Sequence, residues 1–240
     1  MARGFDPGAF AYAHRGLWLK EGPPENSLAS FRAAAKAGLG IEFDLRPAAD
    51  GTAMIFHDSQ LGRMTGQQGE FETLRAEDLK GIRLVESAER IPTFEDLLSL
   101  WPAELPLLCE MKIDGSTDPA GFARTIASRL ADWNGLAAAM SFSEAAVRAL
   151  PDTLMRGQLV VPTSYTDGDA FDGIVRRAIE DGIDYLAVHH TDIERAANLA
   201  AAAGKPVVVW TVRSEAELAA ALPYKPAIIF EHIDPARVTP

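Results

Sequence analysis

Short apolar, β-rich runs alternate along this chain with stretches that carry helix start and stop signals. The runs are 10–14, 41–46, 105–112, 137–142, 156–161, 185–188, 207–212 and 227–230. Between the first two, Ser27 predicts the cap of a helix reaching Ala37, and Gly38 ends it. Later helices open at Thr93, at Asp118-Pro119, at Ser143, near Asp169, at Thr191 and at Ser214. The strings Thr191-Asp192-Ile193-Glu194 and Ser214-Glu215-Ala216-Glu217 have capping-box spacing. This is a βα rhythm.

A further run, Ala53–Asp58, is separated from 41–46 only by a tight turn. A parallel neighbour needs a crossover of roughly a dozen residues, so this run reads as an antiparallel return. With Asp50-Gly51 as a two-residue turn, residue 49 pairs with 52 and, counting back, 44 with 57. His57 is thereby expected opposite Asp44 and beside Glu42. Eight strands with about seven helices predict a (β/α)8 TIM barrel rather than a doubly wound sheet. No G-x-G-x-x-G or Walker string is present. Residues 59–90 form a polar insertion with a short helix near 75–80, read as a lid or small cap on a single domain spanning 1–240.

At 240 residues and 48% hydrophobic, the chain can bury one large core. A formal charge of −11 offers no broad basic face for nucleic acid or anionic membranes, so an anionic substrate needs a local site. The one cysteine, Cys109, rules out an intramolecular disulfide and a CxxC zinc set, and reads as a small buried hydrophobe. The opening Met1–Gly8 lacks a signal-peptide pattern, and no stretch has the length of a membrane span. These features lead us to expect a cytoplasmic protein.

Barrel active sites gather at the C-terminal ends of the strands, which singles out the polar residues there. His14 ends the first strand, Glu42 and Asp44 lie late in the second, Glu110 and Lys112 end the third, and Trp210 is near the end of the seventh. Residues two apart share a face of a strand, so Glu42 joins Asp44 and Glu110 joins Lys112. Converging carboxylates repel unless a cation neutralises them. An oxygen-only set favours Mg²⁺ or Ca²⁺, with Mn²⁺ as a further choice. His57 and His14 add acid/base chemistry, and Arg15 and Lys112 add positive charge. His189, His190 and His232 also follow strand ends but have no supporting partner spacing, and they read as packing or surface residues. Trp210 serves equally as core filler or pocket wall.

Seven short strings in order, His14-Arg15-Gly16, Pro24-Glu25-Asn26-Ser27, Glu42-Phe43-Asp44-Leu45, Asp50-Gly51 with Phe56-His57-Asp58, Ile91–Leu97, Glu110-Met111-Lys112 and Val209-Trp210-Thr211, resemble the glycerophosphodiester phosphodiesterases. The resemblance implies a barrel with a divalent cation on Glu42, Asp44 and Glu110. It also implies His14 and His57 as acid and base, and Arg15 and Lys112 as a phosphate clamp. The implied activity is hydrolysis of glycerophosphodiesters to glycerol 3-phosphate and an alcohol. Attack by water and attack by a glycerol hydroxyl through a cyclic phosphate both stay open. One departure stands at the last strand, where Phe230-Glu231-His232-Ile233-Asp234-Pro235 replaces a Thr-Asp-x-Pro type run. That change is expected to alter the alcohol pocket and to leave the metal and histidines untouched. Alternative readings are a phosphodiesterase of lysophospholipids or sugar phosphodiesters, with 59–90 and the loop Pro162–Gly168 setting the preference, and a glycerophosphodiester-binding protein without catalysis.

Overall fold

The structure, a computed structural model, describes residues 4–85, 87–115 and 117–238. The first three residues of the opening stretch and Glu86 of the insertion lie outside the described residues. The chain runs β1 (Ala11–His14), α1 (Leu28–Lys36), β2 (Gly40–Pro47), β3 (Ala53–Ile55), α2 (Gly62–Thr65), α3 (Ala76–Gly81), α4 (Phe94–Leu100), β4 (Leu107–Met111) and α5 (Pro119–Asp132). It continues through β5 (Ala137–Ser141), α6 (Glu144–Arg148), β6 (Met155–Leu159), α7 (Gly168–Glu180), β7 (Tyr185–His189), α8 (Ile193–Ala201), β8 (Val207–Val212), α9 (Glu215–Ala221) and β9 (Ala227–Phe230). Eight of these strands pair in parallel, and β1 pairs with both β2 and β9, which closes the ring. The fold is a (β/α)8 TIM barrel with β3 antiparallel to β2 outside it.

Alternation along the strands produces two apolar layers. In β4, Leu107, Cys109 and Met111 join the layer shared with the surrounding helices. Leu108 instead joins Tyr12, Met140, Tyr185, Val208 and Ile229 inside the barrel. Glu110 therefore points inward, one step above Leu108. The interior is filled tightly: a Cβ at Gly157 would lie 2.2 Å from the Tyr185 ring, so only glycine fits there. Cys109 is a free, buried thiol in the outer layer.

The hairpin after β2 differs from the expected register by one residue. Leu45 faces Ile55 and Pro47 faces Ala53, and Ala48 N–H donates to Thr52 O at 2.8 Å. The turn holds three residues, 49–51, and ends on Gly51 at φ 79°, the left-handed position that such loops require. Phe56, and not His57, thus pairs with Asp44, through Phe56 N–H to Asp44 O at 3.0 Å. His57 sits one residue past the ladder.

The helix starts expected at capping residues hold except at Thr191, and at Ser214 only half of the expected box forms, Ser214 Oγ accepting from Glu217 N–H while Glu217 Oε2 takes Arg213 N–H. Ser27 caps α1, and Thr93 and Asp96 form a reciprocal box on α4. At Thr191 the expected box is absent: a 3₁₀ turn (His190–Asp192) leads into α8, whose N-cap residue Asp192 makes no side-chain cap. The Asp192 carboxylate is taken instead by Thr163, from both Oγ1 at 2.5 Å and N–H at 3.1 Å. A tertiary contact has displaced a local one.

The insertion carries an apolar cluster of its own. Leu61, Phe71, Leu79 and Leu84 pack with Met54 and Phe56 of the return segment, and Phe56 stacks on Phe71 at 4.8 Å and 16°. Burying aromatic side chains of this size contributes roughly 1.5–3 kcal/mol each, which anchors the segment to the barrel.

Candidate active site

Parallel register brings the polar residues into two rows at the barrel mouth. His14 is level with Glu42, and Asp44 is level with Glu110. Oxygen atoms from Glu42, Asp44 and Glu110 lie within 4.8 Å of one another, and all three residues are buried. Strand geometry alone has gathered three acidic groups at one largely buried point.

The β1–α1 loop completes this cluster through unusual backbone. Arg15 and Asn26 both adopt left-handed conformations, at φ 56° and 54°. Such angles are uncommon for side-chain-bearing residues other than Asn and Asp, and they mark a loop held by its surroundings. Arg15 N–H donates to Glu42 O at 2.7 Å, and Asn26 N–H donates to Arg15 O at 2.9 Å. Between them Gly16, at φ 84°, leaves no space for a Cβ, which would lie 2.4 Å from Ser30 Oγ. The folded-back loop aims Asn26 Nδ2 at Asp44 Oδ2, 2.8 Å away.

Two cations face the same carboxylates. Lys112 Nζ lies 2.6 Å from Glu110 Oε1 and 3.0 Å from Asp44 Oδ1, and Arg15 Nε lies 3.2 Å from Asp44 Oδ2. Arg15 Nη1 also reaches Glu25 at 2.8 Å, and Glu25 in turn accepts from Arg63 of the insertion. Burial would raise the Asp44 carboxyl, but Lys112 and Arg15 hold it well below the usual range. Glu42 goes the other way: burial, then the charges of Asp44 and Glu110, push it well above. Burial would lower Lys112, yet Asp44 and Glu110 keep its ammonium above its ordinary value.

Each histidine has a carboxylate at Nδ1. His14 Nδ1 is 2.7 Å from Glu231 Oε2, and His57 Nδ1 is 2.7 Å from Asp58 Oδ1. With Nδ1–H donated to the carboxylate, the free Nε2 of each ring is the atom available for proton transfer. His14 Nε2 lies 3.8 Å from Glu42 Oε2. Burial lowers the His14 pKa below its ordinary value, with the Glu231 bond opposing the shift and Arg15 adding to it.

A cleft of about 170 Å³ joins these groups, lined by both histidines, Arg15, Glu42, Glu110 and Lys112. Its far wall holds Trp210, Phe142 and His189, with Trp210 edge-on to Phe142 at 5.7 Å and to His189 at 5.3 Å. The volume is below that of a typical drug-sized pocket and matches a small polar ligand.

All eight residues singled out in the sequence are accounted for at this mouth: seven line the cleft, and Asp44 pairs with two of those seven, Lys112 and Arg15. Four neighbours escaped notice. Asn26 and Glu25 were visible only as part of a string, with no signal for what they touch. Asp58 is adjacent to His57 and could have been found by asking what holds that ring. Glu231 lies in the one departing string, and it bonds His14, so that change does reach a histidine, contrary to expectation. His189 also proves to be a cleft residue, with Nδ1 at 2.8 Å from Thr191 Oγ1. His232 packs against Trp18 at 4.5 Å, and His190 lies 3.8 Å from Glu217.

The donor set suits a divalent cation. Glu42 Oε2 is buried without a hydrogen-bond partner, an expensive arrangement that a cation would relieve. Three carboxylates match the oxygen preference of a hard ion.

Comparison with known proteins bears on the family and the fold. The chain is 35% identical over 95 residues to a glycerophosphodiester phosphodiesterase of Caldanaerobacter subterraneus, a match covering 37% of this chain and 38% of the relative. It is 32% identical over 98 residues to human glycerophosphodiester phosphodiesterase 1, covering 37% and 29%. Each match spans less than half of the relative's own length. Among solved structures, an Oleispira antarctica phosphodiesterase in complex with the product sn-glycerol-3-phosphate superposes with a TM-score of 0.79 at 23% identity, covering 92% of both chains. Residues 14–234 match the glycerophosphoryl diester phosphodiesterase family, and with that span nearly the whole barrel and both rows of its mouth are included: the chain belongs to this family.

Proposed function

We propose that this protein hydrolyses glycerophosphodiesters to glycerol 3-phosphate and an alcohol, using a divalent cation held by Glu42, Asp44 and Glu110. The observation that carries the reading is the meeting of three buried carboxylates, two carboxylate-supported histidines and two cationic side chains at one small cleft. Mg²⁺ or Ca²⁺ suits the oxygen donors, and Mn²⁺ is compatible with them. We further propose that the chain works as a single catalytic domain, with residues 59–90 bordering its site.

The bound cation supplies positive charge where negative charge builds up on the phosphoryl group. Arg15 and Lys112 add two cationic groups beside it, held at the mouth by Glu25, Asp44 and Glu110 before the substrate arrives. One histidine takes a proton from the attacking oxygen at Nε2, and the other delivers a proton to the leaving alcohol. Each such acid or base typically contributes about 10² to 10⁴ in rate. Enzymes lower barriers by roughly 8–23 kcal/mol, so the histidines leave a large share to the charges. Glu231 and Asp58 stabilise the protonated rings and fix their orientation. Trp210, with Phe142 and His189, forms the wall against which the organic part of the substrate rests.

The test is release of sn-glycerol 3-phosphate from glycerophosphocholine with Mg²⁺, Ca²⁺ or Mn²⁺, and after chelation. Lysophosphatidylcholine and a sugar phosphodiester run in parallel. Cation-dependent turnover of the glycerophosphodiester, reduced at least a hundredfold in His14→Ala and His57→Ala, is expected. No turnover with any cation, or a His57→Ala enzyme within a few-fold of wild type, overturns the proposal.

A further inference from the structure

Arg46 follows Asp44 by two residues on β2 and points the same way, above the carboxylates. Its side chain is 4% exposed, and each nitrogen of the guanidinium serves a different segment. Nε donates to His57 O at 2.8 Å, Nη1 to Glu72 Oε1 at 2.9 Å and Nη2 to Asp114 Oδ2 at 2.6 Å. Glu72 belongs to a 3₁₀ turn of the insertion (Phe71–Thr73), and Asp114 to the loop after β4. The other oxygen of Glu72 accepts from Thr117 Oγ1 at 2.9 Å, which ties that loop back to the insertion.

This arrangement matters because the sheet does not hold His57. The ladder of β3 ends at Ile55, and its last bond to β2 is the one from Phe56 N–H. Beyond it, the His57 backbone is fixed by the Arg46 contact at its carbonyl, and the ring by Asp58 at Nδ1. A cation at this point with three donors in one rigid plane is a guanidinium property. A lysine has one flexible ammonium and cannot span the three acceptors in this geometry.

We propose that Arg46 is a positioning residue for the reaction: it seats His57 at the cleft and couples that seat to the docking of the insertion through Glu72. The inference rests on the acid/base role given to His57 above. It adds that the insertion, whose cluster packs on Phe56, contributes to catalysis through a buried guanidinium rather than through contact with substrate.

The experiment compares Arg46→Lys, Arg46→Met and Asp114→Asn in the full chain. The readouts are steady-state hydrolysis of glycerophosphocholine across pH, hydrogen exchange of the segment 56–61, and the ring resonances of His57. A misplacement of about 1 Å can reduce rate about a hundredfold. Both Arg46 variants are therefore expected to lose kcat by that order with KM within about threefold. Their 56–61 amides should exchange faster, the His57 ring resonances should shift, and the pH profile should change shape. Asp114→Asn, which keeps the guanidinium and alters a half-exposed partner, should show the same changes in weaker form. It decides the matter if the Arg46 variants do not fold: wild-type kinetics and an unmoved His57 ring in that variant overturn the proposal. Full rescue by Arg46→Lys also overturns it, because a simple charge tie would then suffice. If wild type hydrolyses no diester, the functional reading fails, while the exchange and ring resonances still decide whether Arg46 seats His57.

Discussion

His14 and Glu231 are bonded across the closure of the barrel, Nδ1 to Oε2 at 2.7 Å, joining the end of β1 to the residue after β9. The other Glu231 oxygen is taken by Arg213, so the carboxylate is held from both sides. Burial would raise Glu231, but the bond from His14 and then Arg213 bring its pKa down to about 2.

That bond gives a kinetic expectation. In Glu231→Gln the amide can donate as well as accept, which removes both the charge and the preference for Nδ1–H. If His14 is one of the two proton-transfer groups, kcat should fall by about 10- to 100-fold with little change in KM, and the His14-dependent limb of the pH profile should move to lower pH. A profile superimposable on wild type would show that His14 works without this partner.

The same residue fixes a pH dependence of stability. A folded-state pKa of about 2 lies below the unfolded value near 4.3, so the unfolded chain binds the proton first as pH falls. The stabilisation is fully present above the unfolded pKa and is lost as pH drops toward 2. Its size is about 3 kcal/mol before solvent screening, which the partial exposure of the carboxylate reduces. The difference in unfolding free energy between wild type and Glu231→Gln, measured in urea from pH 7 to pH 3, should therefore shrink below about pH 4.

Much of this was readable in the sequence, and the parts that were not share a cause. Strand alternation fixes Glu42 with Asp44 and Glu110 with Lys112, so local geometry alone carries those pairs. The hairpin register was off by one because Asp50-Gly51 serves a two-residue turn and a three-residue turn equally well. Only the pairing of Ala48 with Thr52 decides between them. The Thr191 box failed for a related reason: Asp192 met Thr163, which is 29 residues away. Glu231, Asn26 and Arg46 act on residues far along the chain, where spacing carries no signal.

Asn26 offers a test of loop preorganisation. Asn26→Ala removes the bond to Asp44 Oδ2 and places alanine in a left-handed conformation that costs roughly 1–2 kcal/mol for an ordinary L-residue. A destabilisation of about 1–3 kcal/mol is expected in chemical denaturation, along with weaker cation binding by calorimetry. Asn26→Gly, which relieves the backbone but not the lost bond, should recover stability and leave cation binding weak.

Trp210 lines the cleft with an indole N–H that is buried and unpartnered. Such a donor is costly unless a ligand fills it. Trp210→Phe keeps most of the aromatic wall against Phe142 and His189 and removes only the N–H. One hydrogen bond of about 0.5–1.5 kcal/mol corresponds to a KM rise of roughly 3- to 10-fold at constant kcat. A fall in kcat with KM unchanged would assign Trp210 to the transition state instead.

The sharpest expectation concerns Glu42, because its effect should reverse sign with the cation. Without a divalent ion, burial and the neighbouring charges of Asp44 and Glu110 raise its folded-state pKa above the unfolded value. The folded chain then holds the proton more tightly, so stability falls as pH rises through the unfolded pKa toward the folded one. Glu42→Gln removes that penalty, and the chelated variant should melt at or above the wild-type temperature at pH 8. Adding Mg²⁺ or Mn²⁺ should raise the wild-type melting temperature, since a ligand bound only by the folded state stabilises it by about 2.7 kcal/mol at a hundred times its dissociation constant. Glu42→Gln should lose most of that rise together with activity. Thermal scans of both proteins with chelator and with each ion decide it. A variant that is less stable than wild type in chelator and still gains the full shift from the ion would remove Glu42 from the proposed cation site.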